Sequence, residues 1–456
     1  MRVNRSRCSK RPRVTTDGEG LVSHAGAGLL AELADRSGLT DALSQAMSGC
    51  GISWRAHDPG VVLSHVAVAV ADGADCLSDL GVLREQPELF GPVASQATAW
   101  RAVEAVTAPE LRGIARAAAV ARERVWAAAG GPATVTFDFD ATLVAAHSEK
   151  EDAAATYKRG FGFHPLAVWL DETTEPLAAM LRPGNAGANN AADHVRLLGE
   201  AIDALPGDYQ QGHHQGDDPA TVRFPLLVRA DSAGATHDFL DAVVARTAQF
   251  SVGFAIDARV RDAIECCQEE DWIPAVNRDG AKRPNGYVIE LTNLVNLDTW
   301  PAGTRLICRR ERPHPGAQLT MFDTVNGWRH TCFITNTPTT DLPGLELRHR
   351  GHARVEDRVR NWKNCGLANL PFEDFTRNQA WCAISLLAGC LLAWTQHLCL
   401  DGHLAKAEPK TLRYRLLHVA ARLTTRGRQT TLRIDSTWPW RNDLATAYTR
   451  LRTGLP

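Results

Sequence analysis

The stretch Thr134-Val135-Thr136-Phe137-Asp138-Phe139-Asp140 decides the fold. Most of its residues are β-branched or aromatic, which is typical of a strand inside a sheet. Because successive side chains of a strand point to opposite faces, Asp138 and Asp140 are expected on the same face. The sequence therefore predicts a buried strand with two acids on one side.

Further strands and helices follow this strand in a regular order. The apolar runs predict a strand hairpin, a helix, a strand that ends on an acid, a second helix and a last strand, at Phe163 to Leu170, Pro176 to Leu181, His194 to Leu205, Phe224 to Asp231, His237 to Ala248 and Ser251 to Ile256. This is the element order of a ribonuclease H-like core, in which the first and fourth strands are neighbours. The predicted fold class is therefore α/β.

Composition and charge indicate a globular protein with separated charged surfaces. Of 456 residues, 22% are charged and 44% hydrophobic, and the eleven cysteines form no Cys-x-x-Cys pair. These values are typical of a cytoplasmic protein with reduced thiols. The net charge of -2 conceals basic clusters and two acid-rich segments, which suit a protein that binds nucleic acid around an acidic centre. The basic clusters are at residues 2 to 13, 305 to 313, 348 to 363 and 406 to 433, and the acid-rich segments at 138 to 152 and 200 to 218.

A short helix near residue 95 has the features of a DNA-reading helix. Ser95 is a suitable N-cap, and it follows the turn-like Phe90-Gly91-Pro92. In a helix-turn-helix this helix would present Gln96 and Arg101 to a DNA groove. An ordinary capped helix would have the same sequence pattern.

Shifts in pattern along the chain predict six segments. A basic arm precedes a helical, DNA-binding domain; a β-rich insertion with its own strands interrupts the ribonuclease H-like core; a basic helical region ends the chain. The apolar run Ala380 to Leu400 is interrupted by polar residues and predicts a buried core helix. The expected segments are 1 to 20, 21 to 130, 131 to 268, 269 to 345, 346 to 400 and 401 to 456.

Carboxylates at the ends of the predicted strands indicate a metal site. Asp140 on the first strand and Asp231 at the end of the fourth would converge if those strands pair. Magnesium prefers oxygen ligands, and a two-metal site uses several carboxylates. Glu356, in a strongly basic segment, is the candidate for a third ligand, although an exposed helix with i,i+4 ion pairs would show the same residues.

The chain resembles the DDE transposases of bacterial insertion sequences, specifically the group called transposase DDE domain group one, whose core carries an inserted β domain. The resemblance spans most of the chain. It rests on Asp138-Phe139-Asp140-Ala141-Thr142, Tyr157-Lys158-x-Gly160-Phe161-Gly162-Phe163-His164-Pro165-Leu166, Leu181-Arg182-Pro183-Gly184-Asn185-Ala186-Gly187, Arg229-Ala230-Asp231-Ser232 and Arg354-Val355-Glu356-Asp357-Arg358.

Related transposases also share a signature of tyrosine, two residues, arginine, three residues, glutamate, six residues and lysine. Glu356 and Lys363 keep the last spacing, whereas His349 and His352 stand where tyrosine and arginine would be. The resemblance implies that the phosphate contacts of those two positions pass to Arg350 or Arg354. Lys363, Arg358, His349 and His352 are further candidates for binding DNA.

The same resemblance implies a metal-dependent reaction on DNA. Catalytic Asp140, Asp231 and Glu356 would hold two Mg2+ ions, which Mn2+ can replace, with Asp138 as a further ligand and the rival for the first catalytic acid. The enzyme would hydrolyse DNA at terminal inverted repeats and join the freed end to target DNA, as a homodimer in a synaptic complex. The β insertion would contact the flanking DNA or a hairpinned end, with Trp300 or Trp328 as stacking residues.

Two other functions fit parts of the sequence. Asp138-x-Asp140-x-Thr142 is similar to the nucleophile motif of haloacid dehalogenase-type phosphatases, in which Asp138 would be phosphorylated. No later strand ends in the paired acids that this class needs. A DNA-binding repressor without catalysis would explain the basic segments but not the spaced acids.

Overall fold

The computed structural model describes residues 13–51, 56–146, 149–313 and 324–456. Most of the predicted basic arm, including its arginines before Arg13, lies outside the described residues. The described part of the arm, residues 13 to 19, is exposed.

Residues 21 to 130 are mainly helical, as their apolar spacing predicts. Helix α6 begins after Ser95, whose hydroxyl accepts a hydrogen bond from the backbone N–H of Thr98 at 3.3 Å, so the predicted N-cap is confirmed. The elements are β1 (Leu21–Val22), α1 (Ala27–Arg36), α2 (Leu39–Met47), α3 (Pro59–Asp72), α4 (Gly81–Arg84), α5 (Pro87–Phe90), α6 (Gln96–Glu104) and α7 (Ala108–Ala129).

The central part of the chain has the predicted order of strands and helices. Its elements are β2 (Val135–Ala141), β3 (Val144–Ala145), β4 (Ala154–Ala155), β5 (Phe161–Phe163), β6 (Leu166–Leu170), β7 (Pro176–Met180), α8 (Ala191–Asp203), α9 (Gly207–Gln210), β8 (Leu226–Ala230), α10 (His237–Val244), β9 (Gln249–Phe254) and α11 (Ala258–Cys266). The second predicted strand is shorter than expected. Phe163 instead ends β5, which lies between β3 and β4 in a separate small sheet.

The strands around β2 form the centre of the main sheet. Their spatial order is β7, β6, β2, β8, β9. Strands β2, β6 and β7 pair antiparallel, whereas β2, β8 and β9 pair parallel. Phe139 lies opposite Ala230 in the β2–β8 register, so the predicted adjacency of the first and fourth strands is confirmed.

The β-rich insertion is not the separate module that the sequence predicts. Its strands are β10 (Ile273–Val276), β11 (Lys282–Glu290), β12 (Arg305–Glu311), β13 (Thr324–Val325) and β14 (Trp328–Thr335). Strand β14 pairs antiparallel with β9, with Thr335 opposite Ser251, so the insertion continues the main sheet to ten strands within the described ranges. Without β14, the edge of β9 would leave backbone donors and acceptors unpaired.

The remaining elements are α12 (Leu342–Arg350), α13 (Val355–Trp362), α14 (Phe375–Cys399), α15 (Pro409–Leu412), β15 (Ala421–Arg426), β16 (Gln429–Ile434) and α16 (Arg441–Gly454). The predicted helical C-terminal region is therefore wrong over residues 421 to 434. There β15 and β16 form an antiparallel hairpin, and β1 pairs with β15. Threonine-rich strands around the positive-φ Gly427 favour a hairpin over a helix.

Helix α14 packs against α3, α7 and β7, so the predicted buried core helix is confirmed. It is long and apolar enough to cross a membrane, but 67% of its most apolar window is buried inside the protein. Beside it lies a buried ion pair in which Nε of Arg122 donates to Glu175 at 2.6 Å. The indole N–H groups of Trp126 and Trp394 also donate to Glu175. The amino-terminal helices thus share one core with the sheet.

Candidate active site

Asp140 and Asp231 lie at the same end of two neighbouring parallel strands. Asp140 is near the end of β2, and Asp231 directly follows β8. Because Phe139 and Ala230 are register partners, the next residue on each strand is one of these acids. The backbone N–H of Ala141 donates to Oδ1 of Asp140 at 2.8 Å. The predicted convergence of the two strand ends is therefore present.

Glu356 approaches the same acids from the first turn of α13, which packs against β2. Burial raises the pKa of Asp140 to about 6; the nearby His352 opposes this shift, whereas the carboxylates of Asp231 and Glu356 add to it. Asp231 and Glu356 therefore both lie close enough to Asp140 to influence its ionisation. Sequence spacing alone could not place Glu356 beside strands more than a hundred residues earlier.

The donor chemistry of these three acids suits a divalent cation, although among the described residues their carboxylate oxygens are not drawn within 4.8 Å of one another, as the ligand atoms of His24, Asp72 and His418 are. Within the described ranges, neither Asp231 nor Glu356 forms an ion pair, and Asp140 accepts only a backbone hydrogen bond. Mutual repulsion of carboxylates disfavours their charged forms unless positive charge is added. Oxygen ligands of this kind are those that Mg2+ and Mn2+ prefer.

Asp138 has a different environment from Asp140, although both are on β2. Only 1% of Asp138 is exposed, and Arg229 on β8 donates to both of its oxygens, at 2.8 and 2.7 Å. A third hydrogen bond, of 2.8 Å, joins Nδ1 of His352 to the same carboxylate. Both oxygens of Asp138 are therefore engaged within the protein. The phosphatase alternative, which needs Asp138 as an accessible nucleophile, has no support in this geometry.

The ion pair of Asp138 extends into a larger network through Asp171. Arg229 contacts Asp171 at 2.9 Å, and Arg354 and Arg358 also bind it. Burial raises the pKa of Asp171, but the hydrogen bond from Arg354 and the charge of Arg229 outweigh burial and lower it. Asp171 follows β6, so the network joins β2, β6 and β8 to the start of α13.

A family model described as Transposase DDE domain group 1 matches residues 5–454 of this chain. The chain belongs to this transposase family. No curated protein matches the sequence. Among solved structures, a piggyBac transposase synaptic complex with hairpin DNA is similar over 87% of this chain and 80% of that chain, with 7% identity and a TM-score of 0.43. A likeness this distant does not inform the site.

His349 and Arg350, two predicted DNA contacts in α12, are engaged in contacts within the protein. His349 shares a 3.0 Å hydrogen bond with Ser251 and stacks on Phe333, with ring centroids 4.2 Å apart. Burial lowers the pKa of His349 to about 3, so it is neutral at physiological pH. Arg350 pairs with Glu346 at 2.8 Å. Both residues support α12 in this structure.

Lys363 is positioned near the acids. Its Nζ donates to the backbone carbonyl of Leu143 at 3.0 Å. Burial lowers the pKa of Lys363, an effect that the charge of Asp140 opposes. Beyond Lys363 the chain leaves helical geometry at Cys365 and Gly366, where φ of Gly366 is 89°. Glu356 and Lys363, which keep the predicted spacing, therefore both lie near Asp140.

The other predicted DNA ligands lie outside the acid cluster. Gln96 and Arg101 are exposed on α6. Trp300 is partly buried against His237 and Phe254, with centroids 4.1 and 5.6 Å apart. Trp328 lies against the guanidinium carbons of Arg310 and Arg312, at 4.7 and 4.0 Å from its ring centroid.

Sequence reasoning missed Arg229 and Asp171 as members of the site. A signal for Arg229 was available, because an arginine inside an otherwise apolar strand needs a buried acidic partner. Asp171 gave no comparable signal, since it lies in a turn with other acids.

A second cluster with metal-ligand chemistry lies where α3 ends. Nδ1 of His24 is 2.5 Å from Asp72, and Nε2 of His418 is 3.2 Å from the same carboxylate. One possible ligand atom from each of His24, Asp72 and His418 lies within 4.8 Å of the other two. His24 shares its hydrogen bond with Oδ2 of Asp72, whereas Nε2 of His418 donates to the backbone carbonyl of Asp72 at 2.8 Å, so both imidazoles have a partner without an ion. The cluster does not include the acids of β2.

Proposed function

We propose that this protein is the transposase of a bacterial insertion sequence, which excises and inserts the element by a cut-and-paste reaction at its terminal inverted repeats. The observation that carries the proposal is the placement of Asp140 and Asp231 at adjacent strand ends, with Glu356 near enough to influence the pKa of Asp140, in a member of the DDE transposase family. Hydrolysis at the element end would free a 3′ hydroxyl, which then attacks a target phosphodiester.

The strands β7, β6, β2, β8 and β9 are proposed as a ribonuclease H-like core. The support is their spatial order and direction, in which an antiparallel trio is followed by two parallel strands. This topology places Asp140 and Asp231 on adjacent strand ends. Residues 269 to 345 are then an insertion that extends the core sheet.

Asp140, Asp231 and Glu356 would hold two Mg2+ ions, and Mn2+ could substitute. When bound, the ions would supply positive charge to the reacting phosphate and favour ionisation of water. Arg229 and His352 engage both oxygens of Asp138, whereas Asp140 accepts only a backbone hydrogen bond. Of the two acids on β2, Asp140 is therefore the proposed first catalytic acid.

Asp138 and its partners are proposed as positioning residues. The arginines at 229, 354 and 358 join the start of α13 to the sheet through Asp138 and Asp171. This attachment would hold Glu356 over the strand ends. Lys363, beside Asp140, would contact a phosphate of the DNA.

Double-stranded DNA is the proposed partner, both as terminal repeat and as target. Gln96 and Arg101 are exposed on α6, as a groove-reading helix requires. Trp328 and Trp300 remain proposed stacking residues, with Trp328 supported by its adjoining exposed Arg312. A homodimer in the synaptic complex, and a location on DNA in the bacterial cytoplasm, complete the proposal.

Cleavage of a labelled duplex with the element's terminal repeats tests the proposal. Asp231→Asn and Glu356→Gln should each abolish cleavage in Mg2+ or Mn2+ while duplex binding persists. Asp357→Asn is the matched control, because Asp357 is exposed beside Glu356 and pairs with Arg360 at 2.9 Å. Full cleavage by Glu356→Gln would remove Glu356 from the site. Duplex binding without cleavage by the unmodified protein would favour the repressor.

A further inference from the structure

The hairpin of β15 and β16 has two chemically different faces. Register pairs place Leu423 opposite Leu432 on one face, where both are partly buried and pack against the core. Because side chains alternate along a strand, the neighbouring residues point the other way. That outer face consists of polar and basic side chains, namely Arg422, Thr424, Arg426, Gln429, Thr431 and Arg433.

The outer face carries uncompensated positive charge. The sequence from 409 to 434 contains seven Lys or Arg residues and no Asp or Glu. Among the described residues, Arg422, Arg426, Arg428 and Arg433 form no ion pair. Arg422 lies directly opposite Arg433, an arrangement that destabilises a hairpin unless an anion is present.

We propose that this outer face, with Arg428 at the turn, binds the sugar-phosphate backbone of duplex DNA. The inference rests on the proposed function only in taking DNA as the anionic partner. Strands of six residues extend about 20 Å, and a two-stranded ribbon of this kind fits the major groove. Arginine and threonine side chains supply donors for phosphate oxygens, and none of the six residues of this face is acidic.

The surface is separate from the acid cluster in the fold. The hairpin pairs with β1 in a three-stranded sheet of its own, whereas Asp140 and Asp231 belong to the ten-stranded sheet. Contacts made here would therefore not involve the residues proposed to act on the cleaved bond. Such contacts would be independent of base sequence, because phosphates are common to every sequence.

The salt dependence of binding to a random-sequence duplex tests this surface. EDTA in the buffer prevents cleavage, so the measurement does not depend on the acids. Replacing Arg422, Arg426 and Arg433 together by Gln should weaken binding about tenfold or more. It should also lower the slope of log Kd against log salt by roughly 3, because each neutralised phosphate adds about 0.9 to that slope. Arg426→Gln with Arg428→Gln, at the exposed tip, should lower the slope by roughly 2.

A triple Gln variant at positions 196, 223 and 259 is the charge-matched control. Each of these exposed arginines already pairs with an acid, at 2.8, 2.6 and 2.7 Å, so the slope should not change. Equal slopes for the tip variant, the control and the unmodified protein would overturn the proposal. The proposal would also be overturned if the triple variant bound duplex DNA normally but lost binding to anionic lipid vesicles or to RNA. It would be overturned as well if the triple variant kept all binding, because the basic residues would then serve only to prevent edge-to-edge strand pairing. The cleavage assay of Asp231→Asn and Glu356→Gln tests the catalytic proposal independently of this surface.

Discussion

Arg229 and Asp138 form a two-point ion pair across the neighbouring parallel strands β2 and β8, with contacts of 2.8 and 2.7 Å and almost no solvent exposure. Such pairs are costly to break, because the remaining partner is left as an uncompensated buried charge. Arg229 also donates to the backbone carbonyl of Arg348 at 2.8 Å, and Arg348 lies in α12, the helix that precedes the one carrying Glu356.

Asp138→Ala should destabilise the protein by about 3–5 kcal/mol, because it leaves Arg229 buried with a weakened set of acceptors. Denaturant unfolding at pH 7 measures the change. Asp138→Ala that unfolds like the unmodified protein would contradict the structural role assigned to this pair.

Asp140→Asn should stabilise the metal-free protein at pH 7 while abolishing cleavage. The pKa of this carboxyl rises from 3.8 to about 6 on folding. At a pH above the folded-state pKa, the group therefore lowers the free energy of unfolding by roughly 3 kcal/mol. For the same reason, the unmodified protein should gain stability from this group as the pH falls from 7 towards 4, and Asp140→Asn should lack that gain. Unfolding curves in EDTA at several pH values test both statements; a destabilised Asp140→Asn at pH 7 would disprove them.

Gly351→Ala should impair cleavage and destabilise the protein by about 1–3 kcal/mol. A Cβ at position 351 would lie 2.5 Å from Nη1 of Arg229 and 3.2 Å from Nη2 of Arg354. The side chain would therefore displace the network beneath Glu356. Gly199→Ala is the control, because a Cβ there meets nothing within 4 Å on helix α8, and it should stabilise by about 0.5–1 kcal/mol. Thermal unfolding and duplex cleavage of both variants provide the comparison; equal behaviour would contradict the steric argument.

His418→Gln should destabilise the protein more at pH 5.5 than at pH 8 (roughly one unit below and more than one above the ordinary pKa of histidine). The hydrogen bond to Asp72 raises the pKa of His418, so its contribution is complete below 6.5 and is lost as the pH rises through the folded value. Burial raises the pKa of Asp72, but hydrogen bonds from His24 and His418 outweigh burial and lower it. The contribution of Asp72 to stability is therefore lost only as the pH falls below 3.8. Equal destabilisation at both pH values, measured by denaturant unfolding, would show that the pair is not ionic.

The sequence alone predicted features that depend on neighbours along the chain. Alternation in residues 134 to 140 indicated the central strand, and helical spacing indicated α8 and α10. The order of strands placed Asp140 and Asp231 at adjacent strand ends, and the resemblance to DDE transposases supplied the family. The N-cap at Ser95 and the buried helix α14 were also predictable, since each depends on a short segment.

Only the tertiary structure decided how the two acids of β2 differ. Asp138 and Arg229 are 91 residues apart, and their contact depends on the register of two parallel strands. The same holds for β14, which joins the main sheet by pairing with β9, and for the hairpin that replaces a predicted helix. Periodicity along a chain fixes which face a side chain occupies, whereas burial, ion pairing and pKa depend on what the rest of the fold places against that face.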